Sequence, residues 1–385
     1  MPRRGFAAAV RGMPGAVYSP FAGRTPRSGS VPVPLHVGDT WLEPCVGTRM
    51  QDLTADAYPD LHRYGPTPGL PALRDALVDK LRDRNGLAPE RDDVLVGAGA
   101  TGILANAVGA IAAPGEEVLI LAPFWPLIRG IVQAFRATPV EVPFFDRVGS
   151  ADDAVAAVRE RIGSATVALY VSTPSNPTGR ILPQSWLEAL CELAREHDLW
   201  LLSDEVYEDY VYDGAHYSVG ALAPERTVSV FSFSKAYGMA GNRVGYLTGP
   251  RELVDEAHKV GTHTAYHAPV AGQQAALRAL DVGGAWLARA RDQYREVGVE
   301  TAAALRLPAP QGSTFHFIDV ASQLDERGMH GFLEDCFEDG VLIAPGASSG
   351  SAYESWVRLC YTAAPPDDVR GAVRALAKRL GRGGS

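Results

Sequence analysis

The stretch "VSVFSFSKAYGMAGNRVGYL", residues 228–247, sets two strand-like apolar runs on either side of a Ser-Phe-Ser-Lys turn and a glycine-rich segment holding one arginine. Taken alone, Lys235 reads as a surface lysine. Its surroundings supply another reading. Similar apolar runs recur at "DVLVG" (93–97), "EVLIL" (117–121), "TVALYV" (166–171) and "LWLLS" (199–203), with "VSVFS" (228–232) and "VGYLT" (244–248) completing the series. Between them lie segments such as "SWLEALCELAREHD" (185–198), where Trp186, Leu187, Leu190 and Leu193 recur at helical spacing. Near-continuous apolar strands alternating with amphipathic helices predict an α/β fold, a mostly parallel sheet covered on both faces. "GGAWLARARDQYREVGVETAAAL" (283–305) predicts a long helix leading into a second, smaller α+β unit, where "STFHFIDV" and "GVLIAP" supply shorter strands.

Composition limits the function. The chain has 385 residues, 46% of them hydrophobic, and a formal net charge of -9. That is ample for a large core, and the acidic excess argues against a nucleic-acid partner. Arg3, Arg4, Arg11, Arg24 and Arg27 gather in a Pro-, Gly- and Ser-rich arm, but "FAAAV" (6–10) is shorter than the apolar segment of a secretory signal. No uninterrupted apolar run is long enough to cross a bilayer. Cys45, Cys191, Cys336 and Cys360 lie far apart without the paired spacing of a disulfide scaffold or zinc site. Reduced thiols in a cytoplasmic protein are expected.

In open α/β sheets ligands bind at the carboxyl ends of the strands. Reading just past each run gives Gly99 to Thr101, Trp125, Asn176, Asp204, Tyr207, Ser232, Ser234, Lys235 and Arg243, a set able to hold one anionic aromatic ring. "GAGATG" (97–102) matches the G-x-G-x-x-G dinucleotide pattern, but the next strand ends "LILAPFW" without the acidic residue that would hold a ribose. What survives is a phosphate cup: backbone N–H groups at a helix start, with the Thr101 hydroxyl as an added donor. "HTAYH" (263–267) spaces His263 and His267 as metalloproteases do, yet lacks the glutamate and any further ligand, so no metal is expected.

"STPSNPTGR" (172–180), "SDEVYEDY" (203–210) and "SFSKAYGMAGNRVGY" (232–246), in that order, resemble the pyridoxal-phosphate enzymes of the aspartate aminotransferase fold, class I/II branch. The likeness runs from "LHVGD" (35–39) to "VRLCYTA" (357–363), most of the chain. It implies a large domain with a mostly parallel seven-stranded sheet between helices. The expected division is an arm and part of the small domain in 1–45, the cofactor-binding domain in 46–282, and the small domain in 283–385. It also implies pyridoxal 5′-phosphate as cofactor and a homodimer with shared active sites. By resemblance, Lys235 is the Schiff-base lysine and proton shuttle, Asp204 sits against the pyridine nitrogen, and Tyr207 and Asn176 donate to the 3′-oxygen. Gly99, Ala100, Thr101, Ser232 and Arg243 fall to the phosphate, Ser234 to the cofactor or to the backbone of the turn, and Trp125 of "APFW" stacks on the ring. Tyr64 of "RYGPTPG" would reach the partner subunit's phosphate. Arg358 would pair with the substrate α-carboxylate beside Gly38 and Asn176, and Tyr266 and His267 are candidates for lining the partner subunit's side-chain pocket.

Departures from the family pattern bear on specificity. "GDTW" (38–41) stands where the family often has Gly-Glu-Pro, and Thr101 stands where some aspartate-specific relatives carry a lysine. With no clear second arginine, an aromatic, aliphatic or unusual amino acid is expected as donor rather than aspartate. Tyr18, Trp41, Tyr266 and His267 would suit a ring. The leading expectation is an amino-acid aminotransferase running a ping-pong cycle between an L-amino acid and a 2-oxo acid. The alternative keeps the cofactor but makes the enzyme a lyase, cyclase or oxidase. A non-enzymatic regulator on the same fold would need a DNA-binding domain, for which the arm is too short.

Overall fold

The computed structural model describes residues 5–15 and 18–382; Arg3 and Arg4 lie outside the described residues. The strands, in chain order, are β1 (Val33–Pro34), β2 (Val94–Ala98), β3 (Glu117–Ala122), β4 (Thr138–Pro143), β5 (Thr166–Ser172) and β6 (Trp200–Asp204). They continue with β7 (Thr227–Ser232), β8 (Val244–Thr248), β9 (Phe315–Asp319), β10 (Val341–Leu342), β11 (Ala344–Pro345) and β12 (Trp356–Cys360). Strands β2 to β8 form one seven-stranded sheet in the order β2-β8-β7-β6-β5-β3-β4. Its neighbours from β7 to β4 pair in parallel, and β8 runs antiparallel to β7 and β2.

All six apolar runs read from the sequence are strands of this sheet. The seventh strand, β4, lies at the edge, is only half buried, and carries two prolines in "TPVEVP". An edge strand tolerates proline because one side of its backbone needs no ladder partner, and so it lacks the apolar run that marks its neighbours.

The two faces of the sheet hold separate cores because successive side chains alternate across a strand. Val118 and Ile120 of β3 pack with Ile103, Leu104 and Val108 of the helix Gly99–Ile111. Leu119 and Leu121 pack on the other face with Trp186, Leu187 and Leu190 of the helix Gln184–Glu196. Each such fully buried aliphatic side chain is worth about 1.5–3 kcal/mol. The predicted long helix spans Gly284–Ala304. Beyond it, β11, β12 and β9 form an antiparallel sheet, and β1 pairs with β10. Phe21 and Leu35 share a core with Ile318, Val341, Val357 and Leu376, which ties the N-terminal arm to the C-terminal part of the chain. Among the described residues, no helix is long and apolar enough to cross a membrane.

Candidate active site

Three adjacent parallel strands, β5, β6 and β7, end at Ser172, Asp204 and Ser232. A cavity of about 260 Å³ opens there, between the large sheet and β9 and β12. Asp204, Tyr207, Asn176 and Lys235 line it together, as do Trp125, Gly38 and Arg358. Ala100, Thr101, Ser232, Ser234 and Arg243 line it as well.

Asp204 is buried at the end of β6, where Oδ2 accepts a hydrogen bond from Tyr170 Oη at 2.5 Å and Oδ1 one from Val206 N at 3.4 Å. Burial raises its pKa from the ordinary carboxylate value to about 6, against the opposing effect of the Tyr170 hydrogen bond. Lys235 sits across the cavity in the turn after β7. Its Nζ donates to the Gly38 carbonyl, and burial lowers its pKa, with Arg358 and Arg243 adding repulsion while Cys360 and Asp39 oppose the shift. An amine so desolvated is readied for nucleophilic work.

Arg358, in the middle of β12, is 2% exposed. Its guanidinium donates to Asn176 Oδ1 at 3.1 Å and to the His36 carbonyl at 2.9 Å, and lies 4.7 Å from the Phe315 ring centre. Its Nε is buried without a partner, and none of the ion pairs among the described residues includes it. A buried cation costs several kcal/mol unless an anion pairs with it. Arg358 therefore presents a carboxylate site that the chain itself leaves open. Phe315 fixes the approach: a Cβ on Gly38 would lie 2.6 Å from Phe315 Cζ and 3.4 Å from Tyr207 Oη.

At the other end, Ala100 and Thr101, in the first turn of the helix Gly99–Ile111, line the cavity. The N–H groups of a first turn lack partners within the helix and favour an anion. Gly99 (φ +74°) does not line the cavity itself; the place of a Cβ there is filled by the Arg243 guanidinium. Arg243 Nη1 and Nη2 donate to the carbonyls of Ala240 (2.9 Å) and Ala98 (3.3 Å). Ser232 Oγ accepts from Ser234 N at 3.1 Å, so this serine shapes the turn as well as facing the cavity.

The remaining sequence-predicted residues lie elsewhere. Tyr64, 84% exposed, stands outside the cavity, edge-on to Tyr266 and His267 at 5.1 and 5.8 Å between ring centres. Trp41 is also outside, whereas Tyr18 reaches in from the arm, its ring 5.6 Å from the Arg358 Cζ. His263 and His267 point to different partners, the Lys259 carbonyl and the Gly65 and Ala268 backbone. Tyr170 and Phe315 were not singled out from the sequence. Tyr170 sits inside an apolar run, and only its pairing opposite Leu202, two residues before Asp204, places its hydroxyl on the carboxylate.

The donor set suits pyridoxal 5′-phosphate: a nest of N–H groups with Arg243 for the dianion, a buried carboxylate for a ring nitrogen, and an amine for the aldehyde. Residues 33–376 match the family described as Aminotransferase class I and II. The chain belongs to that family. Members of the family use pyridoxal 5′-phosphate, and this chain is an amino-acid aminotransferase dependent on it. It is 35% identical to an aspartate/prephenate aminotransferase of Thermus thermophilus over 328 residues, 83% of this chain and 84% of that one. It is 32% identical to an arginine–pyruvate transaminase of Pseudomonas aeruginosa over 308 residues, 77% of each chain. The solved structure of Thermus thermophilus aspartate aminotransferase with maleate superposes with a TM-score of 0.86 at 30% identity, covering 98% of the aminotransferase chain and 100% of that structure.

Proposed function

We propose that this aminotransferase takes its amino group from an L-amino acid lacking a second carboxylate, with Arg358 as the α-carboxylate anchor. The observation that carries the reading is the buried guanidinium of Arg358, free of any acidic partner and facing the same cavity as Lys235 and Asp204. When bound, pyridoxal phosphate supplies an electron sink for breaking the bond between Cα and hydrogen. The chain's residues do the rest. Lys235 Nζ would hold the cofactor's aldehyde and would serve as the base for the Cα proton. The Asp204 carboxylate would keep the ring nitrogen protonated, and Tyr207 and Asn176 would donate to the ring's phenolic oxygen. Ala100, Thr101, Ser232, Ser234 and Arg243 bind the phosphate, and Trp125 covers the ring. Gly38 and Asn176 bound the carboxylate pocket, and an arginine fork fixes its plane through two parallel hydrogen bonds. A fixed plane sets the Cα–H bond for transfer, an orientation effect worth several kcal/mol.

For the side chain, the cations lining the cavity are Lys235, Arg243 and Arg358, all given roles above, and Asp39 is the acid at the rim. Among the described residues of one protomer, a distal carboxylate would meet no spare cation there. We further propose a large domain over 46–282 and a small domain over 283–385 joined by 1–45, acting in the cytoplasm as a homodimer. The exposed rings of Tyr64 and Tyr266, clustered with the half-buried His267 outside the cavity, support that assembly as surface available to a partner.

The test is a panel of amino donors mixed with the enzyme in a stopped-flow spectrometer. Neutral or aromatic donors should convert the cofactor to its amine form and release 2-oxo acids, and a Lys235→Ala variant should lose both the resting visible band and this conversion. A preference for aspartate and glutamate, or pyruvate, ammonia or peroxide released without an acceptor acid, would overturn the proposal.

A further inference from the structure

Behind the turn that carries Asp204 and Tyr207 lies a second set of buried ionisable groups outside the cavity. Glu205 is fully buried. Its Oε1 accepts from Ser203 Oγ at 2.8 Å and Ser218 Oγ at 3.0 Å, and its Oε2 pairs with His216 Nε2 at 3.0 Å. The backbone of the same residue is committed twice: Glu205 N donates to the Val230 carbonyl of β7 at 2.9 Å, and the Glu205 carbonyl accepts from Glu208 N at 3.0 Å. That last bond closes a loop around Val206 and Tyr207, so any displacement of Glu205 is passed to the tyrosine. The turn has a further tether in Glu208, which receives Asn85 Nδ2 at 2.5 Å and Lys80 Nζ from the helix Pro71–Asn85.

We propose that Glu205 and His216 are a positioning pair that locks the turn carrying Asp204 and Tyr207, and through it sets the affinity for pyridoxal phosphate and the pH range over which that affinity holds. Two features support this. Neither side chain lines the cavity, so the pair has no direct role with cofactor or substrate. A buried ion pair is also a poor device for stability, since a well-packed apolar pair of similar volume often does as well or better. Here it joins the loop at 216–218 to the residue directly following the cofactor-facing carboxylate, where a displacement of a few tenths of an ångström misaligns two ligands at once.

The pH range follows from the surroundings. Burial works against charge on both partners, yet the hydrogen bond and charge of His216, with the Ser218 and Ser203 hydroxyls, hold Glu205 below the ordinary carboxylate range. Glu205 in turn holds His216 above the ordinary imidazole range, against burial, with Glu208 reinforcing and Lys80 opposing. The other groups facing the pair are Asp209 on the same turn, Asp204 on β6 and Tyr246 on β8. A raised His216 contributes fully below its ordinary 6.5 and loses its contribution as pH rises through the elevated value. A lowered Glu205 contributes above 4.5 and loses it as pH falls through the depressed value. The pair's hold on the turn should therefore be complete from about 4.5 to 6.5 and weaken as pH rises through the elevated imidazole value, and cofactor affinity is expected to follow the turn.

The experiment measures the equilibrium dissociation constant of pyridoxal phosphate by protein fluorescence between pH 5 and 9, for the wild type and for Glu205→Gln, His216→Asn and the double variant. Thermal melting of each cofactor-free protein serves as the fold control. Each single change should weaken binding about tenfold to a hundredfold, the loss expected for a hydrogen bond to a charged group, and should flatten the alkaline decline. The double variant should be no weaker than the poorer single, because the partners act as one unit. Dissociation constants within twofold of wild type, an unaltered pH profile, or additive losses would each overturn the proposal. Should Glu205→Gln fail to fold, His216→Asn and Ser218→Ala decide; the latter removes one donor without stranding a charge, and unchanged binding there refutes the clamp. The inference rests on the assignment of Asp204 to the cofactor, which Asp204→Asn tests separately. Undiminished affinity in that variant sinks the assignment, whereas a weakened Asp204→Asn beside an unaltered His216→Asn sinks only the pair.

Discussion

Asp204→Asn should make the cofactor-free protein more stable while making it a worse enzyme. In the absence of cofactor, the Asp204 carboxylate is buried with only neutral donors, Tyr170 Oη and Val206 N. Its pKa rises from 3.8 to about 6, with burial the leading cause. A folded-state pKa above the unfolded one means that the stabilising contribution is fully present below 3.8 and is lost as pH rises through about 6. At pH 7.5 the ionised carboxylate thus costs on the order of 3 kcal/mol, from a shift of roughly two units at about 1.4 kcal/mol each. Asparagine keeps an oxygen to accept from Tyr170 and carries no charge. Urea unfolding of the two cofactor-free proteins should show the variant ahead by up to about 3 kcal/mol at pH 7.5, with the gap closing toward pH 4. With cofactor the order reverses, because only a carboxylate rewards a protonated ring nitrogen. A variant less stable than wild type at pH 7.5, or a gap independent of pH, would refute the account of Asp204 as an unpaired buried anion.

Arg358→Met should cut kcat/KM for amino acids about 10²- to 10⁴-fold, since two charge-assisted hydrogen bonds at roughly 1.5–3 kcal/mol each are lost. The same change should leave single-turnover rates with the corresponding decarboxylated amine within about threefold, and equal losses on both would refute the carboxylate role. Gly38→Ala must displace Phe315, whose Cζ lies 2.6 Å from the new Cβ. Overpacking of this kind costs about 1–3 kcal/mol, and it should appear as a raised KM with a small change in melting temperature; unchanged kinetics would show that the pocket wall yields. Tyr64→Phe should weaken pyridoxal phosphate binding although Tyr64 is remote from its own cavity, with light scattering still reporting a dimer; undiminished affinity would remove the partner role.

The reading from sequence succeeded where one physical signal sufficed. Buried parallel strands need near-continuous apolar runs, so six strands of the large sheet were visible, and reading past their ends located Asp204, Asn176, Ser232 and Lys235 in one cavity. It failed where position depends on neighbours distant in sequence. Edge strand β4, relieved of burial, lost the signal that marks the rest. Tyr170 looked like strand filler until the parallel register set it beside Asp204, and Phe315 gains its meaning only from Gly38 and Arg358, both far away along the chain. Gly99, expected as a phosphate donor, does not line the cavity, and the place of its missing Cβ is taken by the Arg243 guanidinium. The arm was read as irregular, yet Phe21 is buried and stacked on Phe337 at 5.3 Å, an apolar contact that no local pattern announces.

What distinguishes the cavity from the rest of this interior is unbalanced charge. Elsewhere the chain pairs what it buries: Arg74 with Asp92, Lys80 with Glu208, Glu205 with His216. Within the cavity, Arg358 has carbonyl and amide oxygens but no carboxylate, Asp204 has a phenol but no cation, and Arg243 has two backbone carbonyls. Arg243 is exposed and bears no such cost, but stability alone would select against leaving Asp204 and Arg358 so, because each uncompensated buried charge costs free energy that pairing would recover. On the proposed assignment, the two buried charges would become favourable once the cofactor's ring nitrogen paired with Asp204 and the substrate carboxylate with Arg358. Neutralising Asp204 and Arg358 together should accordingly remove most of the affinity for an amino acid attached to pyridoxal phosphate while leaving the cofactor-free fold at least as stable near pH 7.5.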